Sequence, residues 1–164
     1  RELAKLTSYK VLHNHLLVDL IGEAIEFGSK DFFHLVDKFR AILLEAACKE
    51  KTKGIILTVC YAHNIPTDRK FVKKIRGIIK KYHGEIYFVQ LYCHKNALDK
   101  RVVGRSRQKF GKIKDKKLLH QTLKKWELFT PIPRVKNYPI DNTKISAKKV
   151  ALMIKKHYKL NKVK

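Results

Sequence analysis

Gly54-Ile55-Ile56-Leu57-Thr58-Val59-Cys60-Tyr61 is the stretch that decides the fold class. It is a nearly continuous apolar run of strand length, the pattern of a strand covered on both faces, which is characteristic of parallel sheets. A helical pattern follows. Thr67 is placed to cap it, and Phe71, Val72, Ile75, Ile78, Ile79 and Tyr82 recur at helical spacing, while Lys73, Lys74, Lys80 and Lys81 mostly fall elsewhere. Gly84 ends the helix, and a second apolar run begins, Ile86-Tyr87-Phe88-Val89-Gln90-Leu91-Tyr92-Cys93. Strand, helix and strand in this order predict an α/β domain with a parallel sheet.

The same alternation continues outward. Upstream, Glu2 to Tyr9 reads as the tail of a helix and Lys10-Val11-Leu12-His13 as a short strand. Ser29 is placed to cap a long helix with Phe32, Phe33, Val36, Phe39, Leu43 and Ala47 at helical spacing. Downstream, residues 96–127 are strongly basic, with glycines at 104 and 111 and a helix around Leu118, Leu119, Leu123 and Trp126. The chain then passes Pro131 and Pro133 to a strand at Tyr138-Pro139-Ile140-Asp141. Ser146 caps a last helix that turns Val150, Ala151, Ile154 and Tyr158 inward.

With 164 residues, 45% of them apolar and 32% charged, the chain has the size and composition of one globular domain. No stretch has the length of a membrane span and none reads as a secretory signal. Three cysteines, Cys48, Cys60 and Cys93, form no disulfide framework, which predicts a reducing, cytoplasmic setting. The charge is lopsided. Residues 1–60 carry nine Lys and Arg against eight Asp and Glu, whereas residues 61–164 carry 29 against six. Such an excess suggests polyanionic partners. A solvated lysine surface explains it equally well, because lysine outnumbers arginine 30 to eight and bidentate phosphate recognition favours arginine.

Ligands of open parallel sheets bind beyond the carboxyl ends of the strands. Those ends read His13-Asn14-His15, with Asp19 four residues on; Cys60-Tyr61-Ala62-His63-Asn64; Cys93-His94-Lys95-Asn96; and Asp141-Asn142-Thr143. Shortly after the third of them, Arg101, Arg105 and Arg107 place three of the eight arginines within seven residues, and guanidinium forks match phosphate oxygens. Asp19 is the first candidate general base and His15 the second. A zinc site is disfavoured, since the histidines and cysteines come from four separate places without C-x-x-C or H-x-x-x-H spacing.

These residues resemble the small P-loop kinases of the shikimate-kinase-like and adenylate-kinase-like group. The resemblance rests on His13-Asn14-His15-Leu16-Leu17-Val18-Asp19-Leu20 after a short strand, the run Ile55 to Tyr61, Phe88 to Cys93 leading into Arg101 to Arg107, and Ile140-Asp141-Asn142-Thr143. It implies a three-layer α/β/α sandwich on a mostly parallel sheet, a single kinase-like domain over residues 1–164, and a helical basic lid at about 99–127. It also implies ATP and Mg as cofactors. Arg101, Arg105 and Arg107 then belong to the lid and are, with Asp19, the catalytic residues. His13, Asn14, His15 and Tyr61 lie at the phosphoryl acceptor with Asp19, and Arg105, Asn142 and Thr143 lie at the nucleotide.

One departure is large. Such kinases begin with a strand and a loop G-x-x-x-x-G-K-[ST], and the only Gly-Lys pair here, Gly111-Lys112, follows no strand. The expectation is that a strand and phosphate loop of roughly twenty residues precede Arg1, and that the chain as written is inactive without them. The reading is an ATP-dependent phosphotransferase acting on a small hydroxylated or nucleoside-like acceptor. The alternative is a nucleic-acid-associated protein, either a kinase of polynucleotide ends or a basic binding module. Weak, sequence-independent nucleic-acid binding is expected from the charge in either case.

Overall fold

The computed structural model describes residues 1–107 and 112–162. Residues 108–111, within the basic 99–127 stretch and including the glycine of Gly111-Lys112, lie outside them. Helices and strands alternate in the order α1 (Glu2–Thr7), β1 (Lys10–Leu12), α2 (Asn14–Gly22), α3 (Lys30–Lys49), β2 (Ile55–Leu57), α4 (Pro66–Lys81), β3 (Phe88–Tyr92), α5 (Lys95–Val102), α6 (Lys116–Lys125), β4 (Asn137–Asp141) and α7 (Ala147–His157). A 3-10 turn at Arg105–Arg107 lies between α5 and α6.

The chain is therefore α/β and its strands are parallel, but among the described residues they form two pairs rather than one sheet. Lys10, Val11 and Leu12 pair with Ile55, Ile56 and Leu57, and Phe88 to Tyr92 pair with Asn137 to Asp141. No ladder joins β2 to β3. The run at 54–61 was expected to be buried throughout. Instead only Ile55–Leu57 is strand, and Thr58, Val59 and Cys60 are exposed, as are Leu91 and Tyr92 in β3. A strand is covered on its edge only where a neighbour pairs with it, and these segments each lack one.

Three apolar clusters pack the helices, two of them onto the strand pairs. Ile21, Phe32 and Val36 join α2 to α3. Leu44, Phe71 and Ile75 bring α3 and α4 onto Ile55 and Leu57, with Ile86 among them. Ile140, Val150 and Ile154 seat α7 on β4, and Leu3 of α1 joins that cluster. The first helix thus packs on the last. Tyr158, just past α7, also donates its hydroxyl to the Phe88 carbonyl at 2.9 Å.

Two local expectations require correction. Thr67 does not cap α4, which begins at Pro66 after Ile65 and has no side-chain cap; proline tolerates the first turn because it has no N–H to satisfy. On α3 the buried positions are Phe32, Val36, Arg40, Ala41 and Leu44, while Phe33, Phe39 and Leu43 are exposed. The buried stripe is rotated from the apolar one because it includes a charged residue. Ser29 and Ser146 do cap their helices, accepting from the amides of Phe32 at 3.1 Å and Lys149 at 3.3 Å.

Gly54 enters β2 directly against the Tyr9 ring; a Cβ there would lie 2.5 Å from ring carbons. Overpacking of this kind costs about 1–3 kcal/mol. Gly54→Ala should lower the urea midpoint accordingly, and Tyr9→Ala in the same chain should recover part of the loss. A neutral Gly54→Ala would show that the strand entry does not depend on this contact.

Candidate functional site at the strand ends

At the end of β1 the chain turns straight into α2. His13 is the N-cap, its Nδ1 accepting from the His15 amide at 3.3 Å, and the two imidazoles stand 5.7 Å apart. The Asn14 amide donates to Thr58 Oγ1 at 3.0 Å, which ties this turn to the end of β2. Asp19 lies one turn further on, its Oδ1 3.8 Å from His15 Nδ1. His13 and His15 are both held below the ordinary imidazole range. Burial is the main cause, the charge of Lys112 adds to it, and Arg107 also acts on His15, with Asp19 opposing there. Both rings are therefore neutral at pH 7, suited to hydrogen bonding rather than to carrying charge. Arg107 of the basic stretch is thus electrostatically linked to the end of β1.

Behind this turn lies a residue that the sequence reading missed. Arg40 is only 8% exposed. Its Nη1 donates to Asp37 at 2.8 Å, its Nη2 donates to Asn14 Oδ1, and its guanidinium sits 5.2 Å from the centre of the Phe71 ring. Its charge also acts on Asp68, whose Oδ2 accepts from the Ala62 amide at 2.8 Å and so shapes the loop after β2. In that loop Tyr61 stands with its hydroxyl 3.4 Å from His63 Nδ1. The available signal was an arginine placed four residues after Val36 and four before Leu44, on what would otherwise be an apolar stripe.

The second strand pair carries its own cluster. Asp141 Oδ1 accepts from both the amide and the hydroxyl of Thr143, at 2.8 and 2.5 Å, and these bonds are the main reason its carboxyl is held below the ordinary range. Thr143 Oγ1 accepts from the His94 amide at 3.0 Å. Arg101, grouped in the sequence reading with Arg105 and Arg107, reaches back to this loop. It donates to Asn142 Oδ1 and the Asn142 carbonyl, both at 2.7 Å, and to the Thr143 carbonyl at 3.2 Å. Arg105 and Arg107 form the 3-10 turn that follows Gly104. Apart from Arg105 and Arg107, the nominated residues therefore fall into two groups: His13, Asn14, His15, Asp19 and Tyr61 beyond β1 and β2, and Arg101, Asn142 and Thr143 beyond β3 and β4. Among the described residues, no three or more His, Cys, Asp or Glu side chains form a cluster able to hold a metal ion.

No family model matches this chain, nor does any curated protein sequence. Solved structures do share its fold. A sugar kinase from a Janibacter species superposes with a TM-score of 0.65 at 12% identity, over 97% of this chain and 84% of that one. The tunicamycin resistance protein of Deinococcus radiodurans does so at 0.57 and 14%, over 98% and 88%. A Chloroflexus aurantiacus protein assigned as a kinase gives 0.61 and 11%, over 96% and 86%. At these identities the likeness establishes the fold. No helix among the described residues is long and apolar enough to cross a membrane.

Asp37 and Asp68 are both held above the ordinary carboxylate range, in each case chiefly by burial, with Arg40 opposing. The folded chain therefore binds these protons more tightly than the unfolded one. Their contribution is most favourable below the unfolded pKa of 3.8 and declines as pH rises through the raised folded values. Arg40→Leu should cost about 3–5 kcal/mol at neutral pH by leaving buried carboxylate without its cation. The loss should shrink as pH falls toward the raised pKa of Asp37 and its carboxyl takes up a proton, and Asp37→Asn in the same chain should recover part of it. A loss independent of pH would assign Arg40 a packing role alone.

Proposed function

We propose that this protein is the body of an ATP-dependent phosphotransferase acting on a small hydroxylated or nucleoside-like molecule. The observation that carries this reading is the fold, shared over nearly the whole chain with a sugar kinase and a second protein assigned as a kinase. Polar clusters at every strand end and an arginine-bearing turn electrostatically linked to one of them are the features such chemistry requires.

In this reading the domain is a P-loop-type three-layer sandwich. A further strand lies between β2 and β3 and carries a glycine-rich loop upstream of Arg1. Two findings support it: β2 and β3 each have one edge without a ladder among the described residues, and the apolar side chains of Val59 and Leu91 are exposed. Such a strand would pair with both edges and cover them.

Asp19 takes the proton of the acceptor hydroxyl, while His13, Asn14, His15 and Tyr61 bind and orient the acceptor. Neutral imidazoles can donate to or accept from sugar-like hydroxyls without adding charge. Arg105 and Arg107 oppose the negative charge that develops on the transferred group. Arg101 has a positioning role: its three bonds to Asn142 and Thr143 set the loop against which the nucleotide rests. Arg105, Asn142 and Thr143 would hold the nucleotide, which when bound with Mg would supply the phosphoryl group and screen its charge.

Titration calorimetry separates the parts. The 164-residue chain should bind ATP weakly or not at all, and a version extended through the phosphate loop should bind at micromolar to millimolar levels. Equal, tight binding by both would place the phosphate site elsewhere. In the extended protein, Arg105→Ala and Arg107→Ala should each lower turnover roughly a hundredfold or more, with little change in melting temperature. Full turnover in both variants would reduce these arginines to surface charge.

A further inference from the structure

At the opposite end of the molecule from the strand carboxyl ends, α4 forms one wall of an open groove of about 550 Å³. Lys73, Arg76, Lys80 and His83 line it, together with the apolar Ile79 and Ile86. The four basic side chains are all exposed. Lys73, Arg76 and Lys80 have no ion-pair partner among the described residues. The nearby carboxylates are otherwise engaged, Glu45 by Lys81 and Tyr82, and Glu85 by the Tyr87 hydroxyl.

Cations in a last helical turn have a local explanation, since they complement the negative end of the helix dipole, but that effect fades within the turn. It covers Lys80 and not Lys73 or Arg76, which lie one to two turns earlier. At 1.5 Å per residue, Lys73 to Lys80 spans about 10.5 Å, long enough for contact with more than one phosphate of a strand.

Tyr87, next to the groove residue Ile86, is 45% exposed and lies 4.5 Å from the Tyr158 ring. Tyr158 in turn borders a parallel stack of Tyr138 on His157 at 3.8 Å. Lys156 and Lys159 flank these rings and are exposed. Both features lie where α4 and α7 end and β3 and β4 begin, so they share one end of the fold.

We propose that this end binds single-stranded nucleic acid, with Lys73, Arg76 and Lys80 contacting successive phosphates and the exposed Tyr87 ring accepting an unpaired base. A basic track beside aromatic rings is how strands are held without sequence preference. The surface is independent of the proposed phosphotransfer site.

The test uses the 164-residue chain and a fluorescein-labelled twelve-nucleotide RNA of mixed sequence, followed by anisotropy over a series of salt concentrations. Changing Lys73, Arg76 and Lys80 together to Gln should weaken binding at least tenfold at low salt. It should also flatten the slope of log affinity against log salt by about two, the value for three phosphate contacts on a single strand. Changing the exposed Lys116, Lys117 and Lys124 of α6 to Gln removes the same charge elsewhere and should cost less than threefold. Tyr87→Ala should cost fivefold or more on its own. A DNA strand of the same sequence should bind within about threefold of the RNA, because neither phosphate contact nor stacking reads the sugar. Equal losses in the two triple variants would mean that only net charge matters, and the proposal would fall. It would also fall if the duplex bound as tightly as the strand, or if vesicles containing phosphatidylserine depended on Lys73, Arg76 and Lys80 while RNA did not.

Discussion

Arg40 reaches Asp37 on its own helix, Asn14 at the start of α2 and the face of Phe71 on α4, so one buried guanidinium connects three helices of the N-terminal half. A desolvated cation must be paired and hydrogen-bonded wherever it sits, and the partners it recruits are thereby held in place. Asn14 is one of them. The His13-Asn14-His15 turn is consequently held from two sides, by Arg40 from within and by Thr58 at the end of β2. Burial raises the carboxyls of Asp37 and Asp68 and lowers the imidazoles of His13 and His15, in each case by disfavouring the charged form.

The C-terminal half is organised differently. Its strand pair is longer, and the loop beyond β4 is held by hydrogen bonds among Asp141, Thr143, Asn142 and Arg101, all at or near the surface. Here a cation holds carbonyl oxygens rather than a buried carboxylate. The two halves meet through α1 on α7 and through Ile86 in the cluster beneath α4. They also meet at the hydrogen bonds of Asn64 with Lys125 and Glu127, which link the loop after β2 to the end of α6. Charge follows the same division. The basic excess of residues 61–164 is spread over α4, α6 and α7, and only part of it lies near the strand ends.

Much of the architecture was legible in the sequence because it rests on local patterns. Strand and helix alternation, parallel pairing, the serine caps at Ser29 and Ser146 and the inward face of α7 follow from periodicity and capping chemistry, which need no knowledge of distant residues. The short helices α2 and α5 were not legible. Each begins two or three residues past the end of a strand, and polar residues that read as a strand-end loop lie in their first turns. Asp19 and Arg101 could be nominated by residue type, but not the commitment of Arg101 to the Asn142–Thr143 loop, across 41 residues of chain.

The sequence by itself determined the class of fold, the order of its elements and the four strand ends where polar groups collect. All of these depend on side-chain period and on the rule that parallel strands need crossovers. Only the tertiary structure decided that the strands among the described residues stand in two pairs, and that the face of α3 turned inward carries a charge. Only it placed the uncompensated cations of α4 in a groove whose lining residue Ile86 precedes the exposed Tyr87. The physical reason is the same in each case. Hydrogen-bonded ladders, buried ion pairs and concave surfaces are made between segments far apart in the chain, and the energy of such contacts is set by what surrounds them rather than by what adjoins them.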